Sequence, residues 1–241
     1  AFGFPSFAAG LEACRVMTQH GAAPAVQRLY DAVEGDRNFQ TGPDDAVLLL
    51  LDEGHADLVA ARMKIAIEAC AAGTRLEDTL VDRWMGHRNE VSQLEALISG
   101  GLVVDTMEIT GPWSALPAIY EDTIAAIGAV PGTLAASSHQ SHAYSDGACL
   151  YFTFAGKPPP DAKDDYYRAV WDAGTRAVLH RGGSLSHHHG VGVNRSRFMA
   201  EALGDAMDVV VGIKTALDPT GILNPGKLGL PDPFGTAPVW P

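Results

Sequence analysis

The sequence predicts an α+β fold, a largely antiparallel sheet covered by helices on one side. Three observations carry that prediction. Segments of strand and helix character follow one another as β-α-β and then α-β-β-α-β, with hairpins mixed in. Thr133–Tyr144 and Ala148–Ala155 flank Ser145-Asp146-Gly147, the pattern of two strands around a tight turn. The alternative, a parallel doubly wound sheet, finds no Gly-x-Gly-x-x-Gly after a strand and no Gly-x-x-x-x-Gly-Lys-Ser/Thr to support it.

Ser6 is suited to cap a helix that Phe7, Leu11, Cys14 and Val16-Met17 make amphipathic, and Gly21 stops it, giving a helix over 7–20. Ala25–Tyr30 and Ala46–Asp52 have strand character, joined by an acidic connection over Glu34–Asp45 that contains glycine and proline. Asp57 to Ala72 forms a second amphipathic helix ending at Gly73. Segments 79–88 and 90–99 are helical by pattern, the second stopped by Gly100-Gly101. Leu102–Ile109 is β-rich, and Ser114–Val130 forms a helix after Pro112. Beyond the hairpin, Asp161–Arg181 is helical, Gly182-Gly183 ends it, and Ser184–Ser186 is a short extended step. Two further helices, about 194–203 and 205–217, precede Asp218-Pro219-Thr220-Gly221 and an extended, proline-rich tail. No internal repeat is evident.

A chain of 241 residues can bury a substantial core, and 46% hydrophobic against 19% charged residues makes it globular rather than disordered. A net charge of −12 argues against nucleic acid or an anionic membrane surface, because both favour a basic face. The longest purely apolar run, Ala46–Leu51, is far too short to span a bilayer. Cys14, Cys70 and Cys149 are widely separated, so neither a disulfide framework nor a thiolate zinc site is expected, and a reducing cytoplasm fits best.

Three segments could carry chemistry. In Ser184-Leu185-Ser186-His187-His188-His189-Gly190-Val191-Gly192, three consecutive imidazoles cannot share one face of a helix or strand, so a loop must aim them in different directions. The run is internal, unlike a tag, and its Gly-x-Gly step permits positive φ or close backbone approach, which points to a site or a metal-binding tract. In the hairpin, His139 and His142 fall on opposite faces of a regular strand and could share a metal only if the strand bulges. Tyr151 lies on one face with Cys149 and Thr153, while Leu150, Phe152 and Phe154 fill the other as core. That tyrosine is either a satisfied core residue or a general acid or base whose neighbours move its pKa from about 10. The third segment, Leu217–Leu228, holds two turns and fits a chain end wrapping the domain.

Together these segments resemble the C-terminal portion of the FAD-linked oxidases of the vanillyl-alcohol oxidase type, and among them the alkyldihydroxyacetonephosphate synthases. The likeness runs through Val16–Gly21 to Arg28-Leu29-Tyr30-Asp31, the Trp113 region, Tyr144–Phe154, Gly182–Gly192 and Leu217–Leu228, and the Gly-Gly-Ser-Leu-Ser-His-His-His-Gly-Val-Gly match is the most specific. The resemblance implies ferredoxin-like packing and a two-domain flavoenzyme whose N-terminal half holds FAD and whose C-terminal half caps the isoalloxazine. Residues 1–190 would be the cap and substrate domain, and 191–241 a helical segment and tail completing the flavin-facing side. The N-terminal FAD-binding domain would be absent from this chain, which alone would bind FAD weakly or not at all and be inactive without that domain or subunit.

The resemblance also implies roles for residues. Tyr151 would be the acid/base for the substrate proton beside flavin N5, and His187, His188 and His189 would orient a small hydroxy-compound substrate and shuttle protons. Arg28 would place charge near flavin or substrate, and Asn224 and Lys227 would lie on a C-terminal turn close to the flavin. A homodimer is the assembly considered. Counting back from Pro112-Trp113, the family's active-site arginine falls on Leu94, which removes a bidentate anion clamp and suggests a less anionic substrate. More distant relatives, the D-2-hydroxyacid dehydrogenases, have Glu-His-Gly-x-Gly where His188-His189-Gly190-Val191-Gly192 stands. Their divalent metal would map onto His142 and His188, with the glutamate replaced. The competing readings are a flavin-independent metal-binding domain built on the histidines and a non-catalytic interaction module.

Overall fold

A computed structural model describes residues 1–90 and 92–235 of the chain. The strands are β1 (Phe2–Phe4), β2 (Val26–Tyr30), β3 (Ala46–Leu51), β4 (Thr74–Arg75), β5 (Val103–Pro112), β6 (Thr133–Ala143) and β7 (Gly147–Gly156). The helices are α1 (Phe7–Gln19), α2 (Ala32–Phe39), α3 (Ala56–Ala69), α4 (Thr79–His87), α5 (Ser92–Ser99), α6 (Leu116–Gly128) and α7 (Lys163–His180), then α8 (Gly192–Ser196), α9 (Met199–Leu203) and α10 (Ala206–Leu217).

All seven strands form one sheet in the order β4-β1-β3-β2-β6-β7-β5, with every pairing antiparallel. Within it, β1-α1-β2-β3-α3-β4 in the order β4-β1-β3-β2 is a complete ferredoxin-like unit, with α2 inserted between β2 and β3. The segment β5-α6-β6-β7-α7 repeats that plan in the order β5-β7-β6. Its fourth strand is reduced to a single antiparallel bridge between Ser184 and Thr110 of β5. The two units join where β2 pairs with β6. The repeat that the sequence hides is therefore explicit in the topology, and the histidine run begins where the vestigial strand ends.

Helices cover both faces of the first unit, not one side as the sequence order suggested. One core packs Phe4, Leu29, Leu48, Leu150, Phe152 and Phe154 under helices α1, α3, α6 and α7. On the reverse face, Tyr30, Val47 and Leu49 pack against Phe39 of α2 and Leu80 of α4. Double coverage is why β3 reads Ala-Val-Leu-Leu-Leu-Leu without alternation. The expected Glu34–Asp45 connection contains most of α2, which Asp31 caps by accepting from the Glu34 amide at 2.8 Å. Asp31 followed three residues later by Glu34 is a helix-start signal that the acidic composition masks. Strands β1 and β4 span three and two residues, too short to show a period.

The reverse face of the second unit carries polar residues and the histidine loop, with α2 against β6 and α5 beside β5. Beyond that loop the expected 194–203 helix breaks into α8 and α9 around Phe198, which is fully buried. Helix α10 buries no residue, and its Val209, Ile213 and Leu217 are 63%, 56% and 79% exposed. The tail is not simply extended, because Lys227–Gly229 forms a 3₁₀ turn against α8, and residues 236–241 lie outside the described residues. Among the described residues, no helix is long and apolar enough to cross a membrane.

Phe152 sits at the centre of the main core with no exposure. Phe152→Ala is expected to cost about 3–5 kcal/mol, since the ring's transfer energy is lost and its cavity is only partly refilled. Urea denaturation of the two proteins measures it, and a loss under about 1 kcal/mol would contradict this packing.

Candidate functional site

Strands β5 and β7 pair with Glu108 directly opposite Tyr151, so a carboxylate and a phenol stand side by side on the open face. Glu108 is fully buried. It accepts from the amides of His187 at 2.6 Å and His189 at 3.1 Å and from the Ser186 hydroxyl. The Arg195 guanidinium lies 3.7 Å away, donates to the Gly190 carbonyl at 3.2 Å, and rests over the Trp171 ring at 5.0 Å. Burial alone would raise the Glu108 pKa, but Ser186, the two amides and Arg195 hold it below the usual carboxylate range. One buried charge thus folds the histidine loop around itself. Gly190 and Gly192 complete the loop at φ 76° and 58°, the left-handed region that a Cβ disfavours.

The strand opposite does bulge. Gln140 pairs with Leu150 but His142 pairs with Cys149, leaving Ser141 as the extra residue. The bulge brings His139 and His142 to the same face as Tyr151. His139 stacks on Tyr151 at 4.8 Å between centroids with 8° between planes. His142 joins the loop instead, with one ligand atom each from His142, Cys149, His187 and His188 lying within 4.8 Å of one another. Hydrogen bonds link the rings: Tyr151 Oη to His188 Nε2 at 3.0 Å, His188 Nδ1 to His187 Nδ1 at 2.8 Å, and His187 Nε2 to Tyr144 Oη at 2.7 Å. Burial, then the neighbouring Cys149 and Glu108, push the Tyr151 pKa up to about 12, against the pull of Arg28. Partial burial and the cations that His187 and His188 can become lower that of His142.

A second network runs behind Tyr151. Arg28 Nη2 donates to His139 Nε2 at 2.8 Å, which leaves Nδ1–H of His139 to donate to Glu34 Oε2 at 2.8 Å. The ring is neutral in this arrangement, and burial lowers its pKa accordingly. Glu34 resists its own burial because His139, and Arg37 at 3.3 Å, hold its carboxyl well below the usual range. Beside this network is a cavity of about 530 Å³ lined by Arg28, Arg37, Arg83, Arg88, Trp84 and His139 among others, four guanidiniums against the carboxylates of Glu34 and Glu90. Leu94, by contrast, is 43% exposed on α5. Helix α4 delivers Arg83, and the residue after the helix is Arg88; both line the cavity.

The family described as FAD linked oxidases, C-terminal domain, matches residues 1–228. The chain belongs to this family. An FAD-linked oxidoreductase of Escherichia coli O157:H7, YgcU, is 27% identical over 236 residues, covering 91% of this chain and 49% of that protein. Alkyldihydroxyacetonephosphate synthase of Trypanosoma brucei brucei is 38% identical over 96 residues, 39% of this chain and 16% of the synthase. A solved alkyldihydroxyacetonephosphate synthase superposes with a TM-score of 0.63 at 21% identity over 94% of this chain and 44% of its own, a likeness of fold. The chain spans about half the length of this Escherichia coli relative.

For a member of this family the distribution of the expected residues is informative. Tyr151, His142, His187, His188 and His189 converge on one cluster, and Arg28 reaches it through His139. Asn224 and Lys227 do not join them: both are exposed on a C-terminal turn that packs against α8 and α9. Sequence reasoning missed Glu108, Tyr144, Arg195 and the Glu34–His139 pair. The available signal for Glu108 was a carboxylate set between Met107 and Ile109 in a β-forming strand that also holds Asp105.

Proposed function

We propose that this chain is the substrate-side half of an FAD-dependent oxidoreductase in which Tyr151 exchanges the substrate proton. The observation that carries the reading is the polar sheet face on which Tyr151, hydrogen-bonded to His188, stands between the histidine loop and an arginine-lined cavity. The donor set suits a flavin: an open face bearing imidazoles and a phenol, with the Arg28 Nε buried and unpartnered beside it. FAD, when bound, supplies the redox chemistry. Tyr151, Arg28 and the three loop histidines are the residues that would face it.

The chain's own residues account for the remaining tasks. The cavity arginines bind and orient an anionic hydroxy substrate such as a hydroxy acid or phosphate ester. Tyr151 takes or returns the proton at Oη, and the loop histidines exclude water and hold the phenol in place. Residues 1–190 form the substrate unit, and 191–241, with the uncovered apolar face of α10, meets the FAD-binding half.

The test is the absorbance spectrum of the protein from its complete reading frame, followed by anaerobic mixing with D-lactate, D-glycerate and glycerol 3-phosphate, and with their uncharged ester or alcohol analogues. Flavin bands that bleach only with the anionic compounds are expected. A colourless protein would overturn the flavin reading, and equal bleaching by the uncharged analogues would overturn the anion assignment. The four clustered ligand atoms favour one second reading, a divalent metal held by His142, Cys149, His187 and His188. It requires stoichiometric metal in the purified protein, which elemental analysis measures.

A further inference from the structure

We propose that Tyr144, acting through His187 and His188, carries the proton between Tyr151 and solvent; this rests on the acid/base reading of Tyr151. The carrying observation is an unbroken series of short hydrogen bonds from Tyr151 Oη to Tyr144 Oη, at 3.0, 2.8 and 2.7 Å. Tyr151 is partly buried, whereas Tyr144 at the hairpin tip is 46% exposed. Tyr144 is held there because its carbonyl accepts from Trp113 Nε1 at 2.9 Å and its amide donates to Gly147 at 2.8 Å.

His188 is the hydrogen-bonded neighbour through which Tyr151 passes its proton on; its ring is 42% exposed, with Nδ1 3.9 Å from Glu108, and the branch to Tyr144 is the one built of hydrogen bonds. Glu108 is committed to the Ser186 hydroxyl, two amides and Arg195. His139 Nε2 already accepts from Arg28. The contact between the two Nδ1 atoms also fixes a direction, since two lone pairs 2.8 Å apart repel and one must carry hydrogen. In the resting arrangement Tyr151 O–H donates to His188 Nε2, His188 Nδ1–H donates to His187 Nδ1, and His187 Nε2–H donates to Tyr144 Oη. When Tyr151 loses its proton to His188 Nε2, His188 releases the one on Nδ1 to His187, His187 releases the one on Nε2 to Tyr144, and Tyr144 gives its own to water. One proton leaves, both imidazoles end neutral with reversed tautomers, and His188 Nε2–H now donates to the Tyr151 phenolate.

The test begins with long-range ¹H–¹⁵N NMR of the ¹⁵N-histidine-labelled chain. His187 and His188 are expected to show opposite tautomers, and Tyr144→Phe to move the His187 Nε2 resonance. In the full flavoprotein, with whichever hydroxy compound bleaches it, Tyr144→Phe is expected to slow bleaching about 10-fold, a fraction of the 10²–10⁴ carried by direct acid–base catalysis. The solvent deuterium isotope effect should rise, and added imidazole should restore part of the rate. Both rings in one tautomer, a stoichiometric metal joining them, or an unchanged rate and isotope effect in Tyr144→Phe would overturn the relay. If Tyr151→Phe nevertheless abolishes bleaching, the acid/base reading survives without the relay. Undiminished bleaching by Tyr151→Phe overturns both.

Discussion

Tyr151→Phe in the full flavoprotein is expected to slow flavin bleaching by about 10²–10⁴-fold while leaving the spectrum and the fold intact. The substitution removes only Oη. The ring keeps its stack on His139 and its edge contact with His189, so neither packing nor the loop is disturbed. The lost group is the one that bonds His188 Nε2 at 3.0 Å. With its pKa pushed up to about 12, Tyr151 is a phenol at neutral pH, and a step that uses it as a base draws on a small phenolate fraction. The wild-type rate should therefore climb with pH through the neutral and mildly alkaline range, and the Phe variant should lose that slope. Stopped-flow absorbance across pH measures both, and a Phe variant that keeps the wild-type slope would assign the base elsewhere.

The parts of this architecture legible in the sequence are those where a single local rule governs. The hairpin around Ser145-Asp146-Gly147, the amphipathic α1, and the division of β7 into Tyr151 and core faces all follow from turn chemistry or side-chain period. The His187–His189 loop was legible because no regular element accommodates it. What stayed hidden depends on partners distant in sequence. Glu108 is an ordinary strand residue until a loop about eighty positions later folds its amides onto it. His139 and Glu34 are 105 positions apart, and neither signals the other. The bulge at Ser141 cannot be read from β6 alone because it is a mismatch of register with β7. The second ferredoxin-like unit escaped notice because its last strand has shrunk to one bridge.

Glu108→Ala is expected to be the most damaging single change to the site. It strands the Arg195 guanidinium, the amides of His187 and His189, and the Ser186 hydroxyl around an empty space. Breaking one partner out of a buried charge pair costs about 3–5 kcal/mol, because the remaining charge stays desolvated. Glu108→Gln keeps the shape but turns one acceptor into a donor facing donors, so it should recover only part of the loss. The pH dependence has a fixed sign. The folded carboxyl has a depressed pKa, so its stabilisation is fully present above the ordinary glutamate value of about 4.3 and fades as pH falls through the lower folded value. Urea denaturation at neutral pH should separate wild type from Glu108→Ala widely, and the gap should close in strong acid. Hydrogen exchange over residues 184–190 locates the damage, with fast exchange in the variant at neutral pH and protection in the wild type. A Glu108→Ala protein with a protected loop and stability within about 1 kcal/mol of wild type would mean that the loop is held by its own turns. In that case the arrangement of Tyr151, His187 and His188 would have to be explained without the carboxylate beneath them.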